Sequence, residues 1–161
     1  MTDEKPSTAL TPRPEALEFL ERYQSFEVRA AELQPVNKAA LFSALKACDI
    51  AKIIVRFDGY GDSGQIEEVT AFLADDQECA LPDELVELQK IQFGEEAQLA
   101  VRTSLTEAIE AIAYAYLAST HSGWENNEGA FGQFLFDVSA GTVTLDYNER
   151  YETSENFSHE F

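Results

Sequence analysis

The sequence has 161 residues, of which 45% are apolar, 11% aromatic and 25% charged. This length predicts one globular domain, and the apolar content is too high for a chain that is disordered throughout. No apolar run approaches the about 20 residues that span a bilayer, and the first residues lack the pattern of a signal peptide. We therefore expect a soluble, cytoplasmic protein without a membrane partner. Cys48 and Cys79 lack the spacing of a zinc site or a disulfide framework.

The charge is large and unevenly distributed. Thirty acidic and 11 basic residues give a net charge of −19. Residues 1–56 hold eight acidic and eight basic residues, so their charges cancel. The whole excess of negative charge lies in residues 57–161, which hold 22 acidic and three basic residues. A field of this sign repels nucleic acids and anionic membranes and attracts basic proteins. The sequence thus argues against direct binding of nucleic acid.

Residues 1–13 are predicted to be a mobile tail, because they are rich in Pro, Ser and Thr. Residues 14–161 are predicted to form a single acidic domain. At its start, apolar residues at helical spacing predict a helix over residues 14–33, which Pro35 ends. Asn37 is then placed to cap a second helix.

The pattern next changes to strands. Residues 50–57 and 65–73 alternate in polarity and predict a hairpin around the glycine-rich turn 58–64. The alternation breaks at Glu67 and Glu68, which indicates a bulge or a sheet edge.

The second half of the chain repeats this order of helix and hairpin. Residues 81–91 begin like a helix, and Ser104 and Glu107 form a capping-box pattern before a strong helix over residues 105–119. A second hairpin is predicted within residues 132–147. Together these elements predict an α+β fold, with a mostly antiparallel sheet of about four strands in two hairpins and helices packed on one face.

The glycine-rich turn contains Gly59, Gly61 and Gly64, the GxGxxG spacing of phosphate-binding loops. Such loops open a helix, whereas a strand is predicted to follow here, so we interpret the turn as structural, with glycines that supply positive φ. Asp58 and Asp62 leave a calcium loop as a weaker alternative, because the regular ladder of calcium ligands is absent.

A second polar group surrounds Trp124. If the second hairpin brings its open end to this loop, His121, Glu125, Asp146 and Asn148 converge, and the Asp/Glu/His part of such a cluster can hold a divalent metal. The competing interpretation makes Trp124 an apolar anchor and the acids a solvated face. No nucleophile motif occurs, which favours a protein that is not an enzyme and needs no cofactor. The alternative function is a small metal-assisted enzyme or ligand-binding module built from Asp58, Asp62, His121, Glu125 and Asp146.

Residues 148–161 are polar, with Tyr151, Phe157 and Phe161 interleaved among acids. This composition suits docking onto a basic, partly apolar partner surface. It suits an edge strand that closes the sheet equally well.

Three segments, FDGYGDSGQIE (57–67), GWENNEGAFGQFLFDV (123–138) and TLDYNERY (144–151), resemble a family of domains of unknown function. The resemblance covers residues 40–161. It implies the context in which members of that family occur, proteobacterial genomes near plasmid and other mobile-element genes, and hence plasmids, phages and host defence. It implies no catalytic residues.

The leading functional hypothesis is an acidic binding protein or inhibitor that engages a basic, nucleic-acid-handling partner, as a mimic of DNA phosphates. The competing interpretation is that the net charge serves only to keep the protein soluble. The partner would be a nuclease, a restriction or CRISPR component, or a toxin neutralised by an immunity protein. A homodimer through an exposed strand edge is also sterically feasible, although the charge opposes it. The predicted contact residues are Glu67, Glu68, Asp75, Asp76, Glu125, Glu128, Asp146, Glu149 and Glu152.

Overall fold

A computed structural model describes residues 14–60, 63–94, 97–126 and 128–161, with Ser63 described by its backbone alone. The tail predicted for residues 1–13 lies outside these ranges. Within them the chain forms two helices and seven strands. They are α1 (Pro14–Ala47), β1 (Lys52–Tyr60), β2 (Ser63–Phe72), β3 (Glu78–Cys79), β4 (Leu85–Lys90), β5 (Leu99–Ser104), α2 (Leu105–Thr120), β6 (Ala130–Asp137) and β7 (Thr142–Glu149).

The predicted α+β class and antiparallel sheet are confirmed, while the number of strands is larger than predicted. In the described residues, one antiparallel sheet has five strands in the order β3-β2-β1-β6-β7, and β4 and β5 form a separate antiparallel pair. Both predicted hairpins are present, as β1–β2 and β6–β7. The added strands are the short β3 and the β4–β5 pair.

The predicted irregularity at Glu67 is a β-bulge. Arg56 pairs with Glu68 and Phe57 pairs with Ile66, so Glu67 is the extra residue of β2. Without the bulge, Ile66 and Val69 would point to opposite faces of the sheet, since they are three residues apart. With it, both pack against the core and Glu67 is exposed.

The hydrophobic core lies on one face of the five-stranded sheet. Alternate residues of β1 and β6 point into it, and the end of α1 together with α2 covers them, as in the ring contact between Phe42 and Phe136 at 6.1 Å. Its fully buried large side chains include Ile53, Val55, Phe134, Phe136, Leu41, Leu45, Ile109 and Leu117. No described helix is both long enough and apolar enough to cross a membrane.

The predicted break at Pro35 is wrong, because α1 continues through it. Proline removes one helical hydrogen bond, to the carbonyl of Ala31, but both residues are exposed, so water can satisfy that carbonyl. Asn37 does not cap a helix either. Its side-chain nitrogen donates to the Gln89 carbonyl at 3.0 Å, and its oxygen accepts from the Gln89 N–H at 2.7 Å. Asn37 thus ties α1 to the edge of β4.

The capping box predicted before α2 is confirmed, since the Glu107 N–H donates to Ser104 Oγ at 3.1 Å. The helix predicted to start within residues 81–91 is wrong, because this segment contains β4. Val86 and Leu88 are buried while Leu85 and Glu87 are exposed, the two-residue period of a strand with one covered face.

Candidate functional site

One end of the five-stranded sheet brings together the two motifs singled out in the sequence. There, Gly64 of β2, Gly59 of β1, Ala130 of β6 and Glu149 of β7 pair in one row across four strands. The glycine-rich turn and the loop that follows α2 both lie at this row. We call it the hairpin end of the sheet.

Trp124 anchors the loop to the hairpin end. Its side chain is buried and meets Phe57 edge to face, with ring centroids 5.5 Å apart. A Cβ atom added at Gly59 or Gly64 would lie 2.7 Å or 2.5 Å from the indole ring. The indole therefore packs directly on the hairpin backbone, as the interpretation of Trp124 as an apolar anchor predicts.

This packing explains two of the three glycines differently from the sequence interpretation. Positive φ was expected at these positions, but the positive-φ glycines of the described residues do not include Gly59 or Gly64. Both are required because a side chain would overlap Trp124. Gly61 lies outside the described residues. The segment after the turn is β2, not a helix, so the phosphate-loop geometry does not form.

Arg150, directly after β7, holds the hairpin end together. Its guanidinium donates to the Gly59 carbonyl at 3.0 Å and to Asp58 Oδ2 at 3.1 Å, and it lies 4.7 Å from the centre of the Phe131 ring. Its backbone N–H donates to the Gly129 carbonyl at 2.9 Å. Asp58 is therefore paired with a cation of the same chain. Sequence reasoning missed this role, although Arg150 is one of only three basic residues in residues 57–161.

Tyr147 connects the helix side of the sheet with the loop. The His121 ring stacks on it, with centroids 3.6 Å apart and planes 7° apart. Burial raises the pKa of the Tyr147 phenol, and the carboxylates of Glu149 and Glu125 raise that pKa further. Both carboxylates therefore lie close enough to Tyr147 to act on it electrostatically. Tyr147 was not singled out from the sequence, where it reads as one apolar position of a strand.

A cavity of about 340 Å³ opens beside Tyr147. Aromatic, amide and carboxylate side chains surround it, together with the guanidinium of Arg150. Its lining residues include Trp124, Asn126, Glu128, Tyr147, Glu149 and Arg150.

Three of the nine predicted contact acids gather at the hairpin end. Glu128 and Glu149 line the cavity, and Glu125 lies over the hairpin, with its backbone next to Gly59. We call Glu125, Glu128 and Glu149 the hairpin-end acids. None of them forms an ion pair with a residue that the structure describes.

The other predicted acids are spread over the molecule. Glu68 and Asp146 share a row of the uncovered face with Arg56 and Gln133, so three strand spacings, about 14 Å, separate them. Glu67 and Glu152 are exposed without an ion pair among the described residues.

Glu68 and the last two predicted acids, Asp75 and Asp76, serve the fold itself. Glu68 pairs with Arg56 at 2.7 Å, and Asp76 pairs with Lys52 at 3.0 Å. Asp75 accepts a hydrogen bond from the Gln77 N–H at 3.2 Å in the turn after β2. These side chains therefore offer less free charge to a partner than the hairpin-end acids do.

The predicted convergence of His121, Glu125 and Asp146 does not occur. His121 and Glu125 both lie near Tyr147, whose side chain faces the helices, whereas Asp146 is the preceding residue of β7 and points to the opposite face. Asp58 lies on that opposite face too, in its pair with Arg150. Asp62 is outside the described residues. Among the described residues, no three His, Cys, Asp or Glu side chains are placed to hold one metal ion.

The fold and the site define an α+β protein whose sheet is covered on one face and carries a carboxylate cluster at its hairpin end. The chain belongs to a family of unknown function, DUF6878, whose model matches residues 33–161. This confirms the resemblance to a family of domains of unknown function. No curated protein and no solved structure matches the chain.

Proposed function

We propose that this protein is an acidic binding protein that occupies the nucleic-acid-binding surface of a basic partner. The observation that carries the proposal is the set of hairpin-end acids, three carboxylates without a cation partner among the described residues, within a chain of net charge −19. Lysine and arginine side chains that normally contact phosphates would meet carboxylates here instead.

The physical basis of the proposal is a set of carboxylates presented on a rigid base. Trp124 fixes the loop that carries Glu125 on the hairpin backbone, and Glu128 and Glu149 line one cavity beside it. The described residues hold no ion pair at these three carboxylates with which the cations of a partner would have to compete. The field of the whole chain also accelerates encounter with such a partner, in a way that salt screens.

The concrete form of the proposal is an inhibitor of a restriction or CRISPR component, or an immunity protein that neutralises a nuclease toxin. The mobile-element context implied by the family resemblance supports it. In this proposal the hairpin-end acids form the centre of the contact, and the more distant acids Glu67, Glu68, Asp75, Asp76, Asp146 and Glu152 form its periphery.

The test is affinity capture with the tagged full chain, elution in a salt gradient and identification of the bound proteins. It is repeated with the hairpin-end acids changed together, Glu125→Gln, Glu128→Gln and Glu149→Gln. A matched control changes three exposed acids of the β3–β4 region, Glu78→Gln, Asp83→Asn and Glu84→Gln.

We expect a basic nucleic-acid-handling protein that wild type and control release at the same moderate salt and that the hairpin-end variant retains at least about tenfold less tightly. Equal retention by all three chains would contradict the assignment of the contact to the hairpin end. The absence of any basic partner would contradict the proposed function itself.

The cavity beside Tyr147 favours a second candidate, a ligand-binding module. Its metal-assisted form has no group of three metal ligands to rest on among the described residues. A ligand that binds only the folded chain raises its melting temperature once its concentration exceeds the dissociation constant. A thermal-shift series with Mg²⁺, Mn²⁺, Ca²⁺ and Zn²⁺ tests the metal-assisted form. A saturable rise that Glu128→Gln abolishes would support it, and unchanged melting with all four ions would reject it.

A further inference from the structure

The outer edge of β7 is an open strand edge at one side of the five-stranded sheet. β7 is the last strand in the sheet order, and its eight residues pair with β6 in one unbroken register. The Arg150 N–H donates to the Gly129 carbonyl, and along an antiparallel pair successive residues direct their backbone groups to opposite sides. The N–H and C=O groups of Val143, Leu145 and Tyr147 therefore point away from β6.

No described residue pairs with this edge. Within the described ranges, neither a backbone group nor a side chain hydrogen-bonds to the outward groups of β7. Residues 150–161 form no strand, so the edge strand that was one of the two predictions for residues 148–161 does not form beyond Glu149.

Two other strand edges are blocked. The bulge at Glu67 interrupts β2, and there the Tyr114 hydroxyl accepts a hydrogen bond from the Ile66 N–H at 2.8 Å. On β4, Asn37 bonds to both backbone groups of Gln89. Bulges and covering groups of this kind keep a strand edge from pairing with another chain. β7 contains no bulge, no proline and no lysine, so its edge is open to a further strand.

The surroundings of β7 favour a basic strand. Residues 121–149 contain five acidic residues and neither lysine nor arginine. Asp146 lies on the uncovered face of β7, and Glu149, one of the hairpin-end acids, lies at its end. On the covered face, the three residues with outward backbone groups are partly buried against the core. A strand beside β7 would therefore meet a carboxylate on one face and apolar side chains on the other.

We propose that the partner adds an extended segment to the outer edge of β7, as an antiparallel strand that alternates apolar and basic residues. Its apolar residues would lie opposite Val143, Leu145 and Tyr147 and exchange backbone hydrogen bonds with them. Its basic residues would lie on the uncovered face, beside Asp146. This inference rests on the proposed function and specifies how the basic partner is held. Pairing of β7 with a second copy is opposed by the net charge of −19 on each chain.

The probe is a blocked heptapeptide that alternates arginine and valine, with arginine at both ends, titrated into the full chain at about 0.15 M salt. In one analogue the valine nitrogens are methylated, which removes the donors that would face β7. In a matched analogue the same number of arginine nitrogens is methylated, which removes donors that would face solvent. Both analogues keep the charge of the parent peptide, so a difference between them reports on backbone pairing.

Two variants of the protein test the charged side of the contact. Asp146→Lys reverses the carboxylate that would face the basic residues of the strand. Asp83→Lys makes the same change of charge at an exposed acid outside β7. Hydrogen exchange followed by NMR then locates the bound peptide on the protein.

We expect methylation of the valines to raise the dissociation constant at least about tenfold and methylation of the arginines to raise it less than about threefold. Asp146→Lys should weaken binding of the parent peptide at least about fivefold more than Asp83→Lys does. The bound peptide should slow exchange of the Val143, Leu145 and Tyr147 amides, because they become hydrogen-bonded.

Equal binding of the two methylated peptides would overturn the strand pairing and leave attraction by charge alone, a result that the proposed function survives. The pairing would also be overturned if the parent peptide showed no saturable binding, or if both lysine variants weakened binding equally. Protection of the outward amides that grows with protein concentration in the absence of peptide would place a second copy on the edge instead. The proposed function fails on a different result, the absence of a basic partner in the capture experiment.

Discussion

At the residue scale, the hairpin end depends on close approach between one large side chain and two glycines. The Trp124 indole lies on the backbone where Gly59 and Gly64 pair across β1 and β2. Backbone and indole form one packed layer, and the loop that carries Glu125 is fixed by it. The position of Glu125 therefore follows from the absence of side chains at two positions on the opposite segment.

Gly64→Ala tests this arrangement, because its Cβ would lie 2.5 Å from the indole and 2.8 Å from the Glu125 Cβ. We expect the free energy of unfolding to fall by about 1–3 kcal/mol. In a Trp124→Leu background the same change should cost at least about 1 kcal/mol less, since the ring that it meets is gone. Urea unfolding followed by circular dichroism gives the free energy of unfolding of wild type, of each single variant and of the double variant. An equal cost in both backgrounds would show that Trp124 is not the reason for the glycine.

A second residue-scale prediction concerns Tyr147 and pH. Burial, with Glu149 and Glu125, raises the pKa of its phenol, so the folded chain holds this proton more tightly than the unfolded chain does. The resulting stabilisation is complete below the ordinary pKa of about 10 and is lost as pH rises through the raised pKa. The raised pKa values of Tyr116 and Cys48 add losses of the same sign.

Tyr147→Phe keeps the ring that stacks on His121 and removes the titrating group. We expect a free energy of unfolding near that of wild type at neutral pH and a shallower fall between about pH 9 and pH 11. Urea unfolding across this pH range measures the free energy of unfolding of both chains. Tyr114→Phe serves as the control, at a tyrosine whose hydroxyl accepts a hydrogen bond from the Ile66 N–H. Parallel curves for wild type and Tyr147→Phe would contradict the prediction.

At the element scale, α1 and β4 are joined through one side chain. Asn37 both donates to and accepts from the backbone of Gln89, which imitates a neighbouring strand at the edge of the β4–β5 pair. Asn37→Ala leaves a partly buried N–H and carbonyl unpaired, so we expect a loss of about 1–3 kcal/mol. Asn37→Asp keeps only the hydrogen-bond acceptor, so its free energy of unfolding should lie between those of wild type and Asn37→Ala. Chemical unfolding measures the order, and an alanine variant as stable as wild type would contradict it.

The elements differ in how far the sequence determines them. The capping box before α2 and the alternation in the two hairpins predict those elements correctly, because local hydrogen bonds and one buried face decide them. In the segment that contains β4, Pro82 is followed directly by two acidic residues, a pattern that favours the start of a helix. The segment forms a strand instead because it pairs with β5 and packs on α1. The continuation of α1 through Pro35 is tolerated because Pro35 and Ala31 are exposed, so that water can satisfy the carbonyl that loses its partner.

The candidate site, too, has features that the sequence predicts and features that it does not. A buried, anchoring Trp124 could be predicted from composition, and the hairpin topology brings its loop to the glycine turn. The alternation of Val143, Leu145 and Tyr147 already puts Asp146 on the other face of β7, but the sequence does not show that His121 stacks on Tyr147 on the inner face. Asp146 and Tyr147 are adjacent in sequence, yet they point to opposite faces of β7. This alternation separates Asp146 from His121 and rules out the cluster that was predicted from the hairpin topology.

At the scale of the whole molecule, the net charge of −19 acts on stability as well as on binding. Folding brings the carboxylates closer together than they are in the unfolded chain, so their repulsion disfavours the folded state. The ion pairs of Lys52, Arg56 and Arg150 act in the other direction, but their side chains are between 33% and 57% exposed. Each such pair contributes at most about 1 kcal/mol.

We therefore expect added salt to stabilise this protein. Raising NaCl from about 0.05 M to about 0.5 M shortens the screening length from about 14 Å to about 4 Å, which removes most of the repulsion between distant carboxylates and little of the attraction within close pairs. The melting temperature should rise over this range, and it should rise less for the variant in which the hairpin-end acids are changed to glutamine, because that chain has less repulsion to screen. Differential scanning calorimetry at fixed pH and protein concentration compares the two chains. A melting temperature that falls with salt would show that the ion pairs, rather than the excess of carboxylates, dominate the electrostatics of the folded state.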